Sequence, residues 1–171
     1  SSKKYKFSRK FGIPVRYHDF EELSQRVELD FLEFHLSYKD MDLNFKNLIN
    51  RKFKCGLIVH APDLYSGDHI LNLASEDAER SIFELQRVID LTSNLKNYFS
   101  EKKPKIVVSI GGYTRDLKAN DKQKEEMIER LILNFKKLDR KDTIILAQTL
   151  PPFPWYIGGQ MFCNLFTTPS D

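Results

Sequence analysis

Cys55–Ser75 reads CGLIVHAPDLYSGDHILNLAS, and this stretch decides the fold. Gly56–Val59 is a short apolar run that His60-Ala61-Pro62 ends. The residue before a proline is driven toward extended backbone, so Ala61 closes a strand and does not open a helix. His60, Asp63, Asp68 and His69 follow in close succession. A histidine at the carboxyl end of a buried strand, then a polar loop and a helix, is the arrangement from which α/β proteins build sites. The same residues also describe a hydrogen-bonded core histidine beside an ordinary surface loop. Both readings stay open at this point.

Working outward, strands and helices alternate. Phe11–Tyr17 is a first strand, although Pro14 lies inside it and cannot donate to a ladder. Phe20–Val27 is a short helix with Asp19 as its cap and Glu21 and Glu22 in its first turn. Phe31–Ser37 is a second strand. Its period of two puts Leu32, Phe34 and Leu36 on one face and Glu33, His35 and Ser37 on the other. Asn44–Asn50 reads as another short helix, and Lys54–His60 as the third strand.

Ser75 is expected to cap a helix running to about Tyr98, with Ile82, Leu85, Val88, Ile89, Thr92 and Leu95 on its buried face. Lys105–Ile110 is a fourth strand ending at Gly111-Gly112. Lys122–Leu138 is a helix burying Met127, Ile128, Leu131, Ile132 and Phe135, and Thr143–Thr149 is a fifth strand. Strands three to five are apolar almost throughout, as when both faces of a parallel sheet are covered. Two architectures fit: an open doubly wound sheet, complete in roughly 170 residues, or an arc of an eight-fold barrel that typically needs about 250.

The chain has 171 residues, 41% hydrophobic and 30% charged, with 27 basic against 24 acidic side chains. That describes a globular α/β domain over residues 11–171, with a basic tail at residues 1–10. A net charge of +3 is too small to argue for nucleic acid. No apolar run approaches the ~20 residues that span a bilayer. Cys55 and Cys163 have no metal-ligand spacing, and two cysteines without a secretory signal fit a reducing cytoplasm.

Polar residues or glycines follow the carboxyl end of every expected strand: Arg16, Tyr17, His18 and Asp19; Glu33, His35 and Ser37; His60; Ser109, Gly111 and Gly112; Gln148 and Thr149. In a parallel barrel these points converge on one mouth. Glu33 on a half-apolar strand must be paired, metal-bound or protonated, because an isolated buried charge is costly. Gly111-Gly112 lies in no phosphate-loop pattern and reads as a tight turn. In the last segment Trp155 is placed to stack on a sugar or to pack on its own domain.

The segment IVHAPDLYSGDHILNLASEDAERSIFELQRVIDL, residues 58–91, resembles the endonuclease IV and xylose-isomerase-like barrel superfamily. The resemblance extends over Phe31–Gln148. It implies a (β/α)8 TIM-type barrel, of which this chain would carry about five strands and four helices, with a divalent metal such as zinc or manganese at the mouth. It further implies either sugar isomerisation or epimerisation, or phosphodiester cleavage at abasic DNA. The loop PPFPWYIGGQMFCNLF looks more like the sugar isomerase/epimerase-type members. RKFGIPVRYHD is similar to a strand of sialic-acid synthase barrels, which adds an expected role in nonulosonic-acid or surface-polysaccharide synthesis.

Under this resemblance His60 falls on a metal ligand. Ser109 stands where the family has a histidine, and Gln148 (or Ala147, one residue off in register) where it has a glutamate. Neither substitute is a good divalent-metal ligand. The leading expectation is a carbohydrate-active isomerase or epimerase-like domain acting on a sugar or sugar phosphate. Glu33 and His60 are the catalytic candidates, His60 is also the metal candidate, and His18, His35, Asp63, Gln148 and Trp155 shape the pocket. Metal-dependent phosphodiester cleavage and a non-catalytic sugar-binding or scaffold role are the alternatives. A five-strand arc leaves open edges, so further chain or a partner copy is expected to complete the barrel.

Overall fold

The computed structural model describes residues 8–151, 155–156 and 160–170, with Trp155, Tyr156 and Gln160 as backbone alone. Five parallel strands form the main sheet: β1 (Gly12–Val15), β2 (Phe31–His35), β3 (Gly56–His60), β4 (Lys105–Val108) and β6 (Ile144–Ala147). They pair in the order in which the chain makes them. No switch point reverses that order, so the doubly wound alternative is replaced by a singly wound sheet. The sheet is open, with β1 and β6 at its edges, and barrel closure is not seen among the described residues.

Period-two alternation sorts the two faces. Val15, Phe34, Val59, Ile106 and Ile145 lie in one register row, and Phe34, Val59 and Ile106 are fully buried. They share a core with α2 (Glu79–Leu95) and α3 (Asp121–Phe135), through Leu85, Ile89, Met127 and Leu131. Phe34 stands at the centre of an aromatic group with Tyr17, Phe20 and Phe99, ring centroids 5.2–6.0 Å apart. The opposite face carries Pro14, Glu33, Ile58, Lys105 and Ile144 in one row, then His35, His60, Val107 and Leu146 in another. This second face is only partly covered, and Ile144 and Leu146 are exposed. The expectation that strand five is buried on both sides is corrected accordingly.

Other corrections have local causes. The expected helix over Asn44–Asn50 is a single 3₁₀ turn, Phe45–Asn47, because Asn44 folds its side chain onto the Lys46 amide. Asp19 stands at the N-cap of α1 (Phe20–Arg26), but its carboxylate makes no cap bond; it accepts from the Arg16 amide at 2.7 Å and closes the preceding turn. Ser75 does not cap α2, since its own amide bonds back to the Asn72 carbonyl and the helix begins at Glu79. Asn120 caps α3 in a reciprocal box with Gln123. On α3 the buried stripe is Met127, Leu131 and Asn134, which leaves Ile128 and Ile132 exposed. Asn134 turns inward because its amide donates to the Leu73 carbonyl at 2.9 Å.

Beyond the carboxyl ends of β4 and β6 lies a small antiparallel sheet absent from the sequence expectation: β5 (Tyr113–Arg115), β8 (Gln160–Cys163) and β7 (Trp155–Tyr156), in the order β5-β8-β7. Asn164 staples it, donating to the Gly112 carbonyl and Thr114 Oγ1 and accepting from the Ala119 amide. The turn into β5 requires glycine. Gly111 and Gly112 have φ of 124° and 88°, and a Cβ on Gly111 would lie 2.3 Å from Asn72 Oδ1.

Candidate functional site

The half-covered face of the sheet gathers the site at the carboxyl ends of its strands. His35 and His60 are direct neighbours in the β2–β3 register, and Glu33 lies two residues before His35 on the same face. The backbone alone therefore brings three ligand-type side chains together. Glu33 Oε1 is 3.4 Å from His60 Nδ1 and 3.8 Å from His35 Nε2. The two imidazoles meet edge to face with centroids 3.9 Å apart. One ligand atom from each of the three residues falls within 4.8 Å of the others. This cluster could hold a metal ion.

Gln148, just past β6, fixes the tautomer of His60. Its Oε1 lies 3.1 Å from His60 Nε2 and accepts, so Nε2 carries the proton. In the neutral ring Nδ1 then offers a lone pair toward Glu33. That nitrogen is buried and has no hydrogen-bond partner. A lone pair facing a carboxylate oxygen in a half-dry site repels it, and either a proton on Nδ1 or a cation between the two atoms removes the conflict. His35 is held below its ordinary pKa, first by burial and then by the charge of His60, with Glu33 pulling the other way. It is the neutral, ligating form that this environment favours.

The donor chemistry fits a divalent ion: two imidazoles and one carboxylate, with Gln148 orienting one imidazole from behind as outer partners do in metal sites. Three ligands leave coordination positions open to an oxygen of water or substrate.

Of the other candidates, Asp63 faces a cavity of about 190 Å³ that Ser109, Tyr113 and Gln148 also line. Burial pushes the Tyr113 phenol up to about 12, so it is a neutral hydrogen-bond donor on that wall. Ser109 lines this cavity as well. His18 points to solvent, with 80% of its side chain exposed and Asp19 Oδ2 3.7 Å away. Trp155 pairs through its backbone with Met161, and its side chain lies outside the described residues. Residues that sequence reasoning missed are Tyr113 and Met161, which line the cavity from the small sheet. Their only trace in the sequence is the glycine pair before Tyr113, which forces the chain to turn back over the strand ends.

Among the described residues, no helix is long and apolar enough to cross a membrane. No protein-family model, curated protein or solved structure matches the chain.

Proposed function

We propose that the sheet is an arc of a (β/α)8-type barrel whose mouth carries a divalent metal, zinc or manganese, and that the domain acts on a sugar-class substrate as an isomerase or epimerase. Glu33, His35 and His60 would hold the ion. The observation that carries this reading is the buried, unpartnered Nδ1 of His60 beside Glu33 and His35. When bound, the ion supplies Lewis-acid polarisation of a carbonyl or of vicinal hydroxyls.

The remaining roles belong to the chain itself. Glu33 is committed to the cluster, so Asp63, on the cavity wall with Gln148, is the carboxylate placed to move a proton between substrate carbons or oxygens. Gln148 holds His60 in the tautomer whose Nδ1 can ligate. Tyr113 donates a hydrogen bond from its neutral phenol. The cavity, about 190 Å³, is smaller than the roughly 300–1,000 Å³ that drug-sized ligands fill, and suits a small, polar molecule.

A second reading has its own support. Ser109 and Gln148 bring no charge to the strand ends, which favours a domain that binds sugar without turning it over. Metal content decides the first step. The full chain loaded with zinc, manganese or cobalt and then dialysed should retain about one ion, and Glu33→Gln should lose it. Retained metal together with interconversion of aldose and ketose, or of epimers, supports the enzyme. Retained metal without turnover, or absence of metal from the wild type, overturns the enzyme reading and favours the binding domain.

A further inference from the structure

Dibasic pairs recur in the chain at one structural position. Arg9-Lys10 stands just before β1, Arg51-Lys52 before β3, Lys102-Lys103 before β4 and Arg140-Lys141 before β6. Those strands are parallel, so their amino ends lie at one end of the sheet, and every strand but β2 brings a pair there. Backbone bonds draw the two central loops together. The Phe53 amide donates to the Tyr98 carbonyl at 2.7 Å, and the Ser100 amide to the Cys55 carbonyl at 3.1 Å. β2 is preceded by Glu28 and Asp30, and the Asp30 carboxylate is taken up by the Phe11 amide.

Part of this positive charge is compensated. Arg51 pairs with Glu21, and Lys141 with Asp90. Lys10, Lys52, Lys54, Lys102 and Lys103 are exposed, and their ammonium groups make no ion pair or hydrogen bond among the described residues. The opposite end has the other sign. Residues 61–78, which leave β3 at its carboxyl end, hold Asp63, Asp68, Glu76 and Asp77 and no lysine or arginine. The net charge of +3 therefore averages over a polarised domain. Its positive pole lies at the amino ends of the strands, away from His35 and His60.

The pole offers charge without stacking groups. Phe53 and Phe99 are buried, and the described residues of these loops expose no aromatic ring on which a base could stack. The uncompensated cations are mostly lysines, flexible point charges without the planar fork that reads phosphates and base edges. They also spread in two dimensions. One runs along the sheet, whose five strands cover about 19 Å at ordinary strand spacing. The other reaches the exposed Lys136 at the end of α3, in the layer packed on the sheet. A plane of negative charge matches that layout better than a single polymer track.

We propose that this end of the domain docks on an anionic lipid surface as a peripheral contact, leaving the strand ends that carry His60 turned toward the solution. Such surfaces attract clusters of lysine and arginine, and each cation strengthens binding about fivefold when it lies within a Debye length of roughly 8–10 Å. The acidic loop after β3 is repelled by the same surface, which fixes the orientation. Docking of this kind needs no ion in the histidine cluster, because the two lie at opposite ends of the strands.

Co-sedimentation of the full chain with vesicles tests it, using phosphatidylcholine alone and a two-to-one mixture with phosphatidylserine. The mixture should bind about tenfold or more tightly at low salt, and half-molar salt should abolish the difference. Lys52→Glu with Lys102→Glu should weaken binding about tenfold or more, and Lys52→Gln with Lys102→Gln by a smaller factor. Should the Glu pair prove less stable in urea, the Gln pair alone carries the comparison. Lys118→Glu with Lys122→Glu changes the net charge equally, on exposed positions away from these loops, and should bind like the wild type. Equal partition onto both vesicles, binding that survives both changes at Lys52 and Lys102, or an equal loss from the Lys118 and Lys122 changes overturns the proposal. So does release of the chain from the mixed vesicles by duplex DNA at an equal concentration of negative charge, which would assign the pole to nucleic acid.

Discussion

His60 and Gln148, separated by 88 positions in the chain, meet Nε2 to Oε1 at 3.1 Å across the face of the sheet. The contact aims the other imidazole nitrogen at Glu33, 3.4 Å away. Gln148→Leu keeps the volume and removes the acceptor, so Nε2–H loses its partner and the ligating tautomer is no longer selected. Metal affinity should fall about 10- to 100-fold, as it does when outer partners of ligating histidines are removed. Competition against a chromophoric chelator measures this, and unchanged affinity would remove Gln148 from the site.

Glu33→Gln separates fold from metal. In the metal-free protein the amide can donate to the His60 Nδ1 that now has no partner, so urea stability should hold or rise. Metal binding should be lost. A large drop in metal-free stability would mean that Glu33 is instead one half of a structural ion pair with protonated His60.

The depressed pKa of His35, and likewise of His69, gives a signed pH dependence. Burial is the first cause in both, so the folded state disfavours the proton while the unfolded state takes it up near pH 6.5. The unfolded chain then binds more protons through and below that pH, and stability falls as pH drops from about 7 toward the lower folded pKa values. Urea midpoints at pH 7.5 and 5.5 should show the decline, and His35→Asn should flatten part of it. Identical slopes for variant and wild type would exclude His35 as a contributor.

The core side of the sheet should answer to truncation in the ordinary way. Phe34→Ala removes the ring that Tyr17, Phe20 and Phe99 pack on, and is expected to cost about 3–5 kcal/mol. On α3, Leu131→Ala should cost about 2–5 kcal/mol. The exposed Ile132, by contrast, should tolerate serine within about 0.5 kcal/mol. Thermal unfolding of the two α3 variants tests which stripe of the helix is buried, and a costly Ile132→Ser would reverse the assignment.

Asn164 holds the small sheet in place through bonds to Gly112, Thr114 and Ala119. Asn164→Ala leaves part-buried groups without partners and should destabilise by about 1–3 kcal/mol. Amide exchange at Tyr113–Arg115 should accelerate more than exchange in β2 or β3. Uniform acceleration would show that the two sheets open together.

Much of the main sheet was legible because its determinants are local. Alternation in FLEFH fixes which side chains share a face, and Pro62 ends β3 wherever the rest of the chain goes. Hence Glu33, His35 and His60 are identifiable as one-face, strand-end residues from sequence. The stripe on α3 was not, because Asn134 turns inward for a carbonyl supplied by Leu73, a partner 61 positions away. Nor was the small sheet, whose strands are too short to show a period and are held by Asn164.

The parallel βα alternation and the candidate ligand types could be read from the chain alone, since these follow from backbone sterics and side-chain period. It took the folded chain to establish that the strands pair in chain order, that His60 stands between Glu33 and Gln148, and that the small β5-β8-β7 sheet brings Tyr113 and Met161 to the cavity beside Gln148. Register and long-range hydrogen bonds set those outcomes, and both depend on which segments meet after the chain has folded.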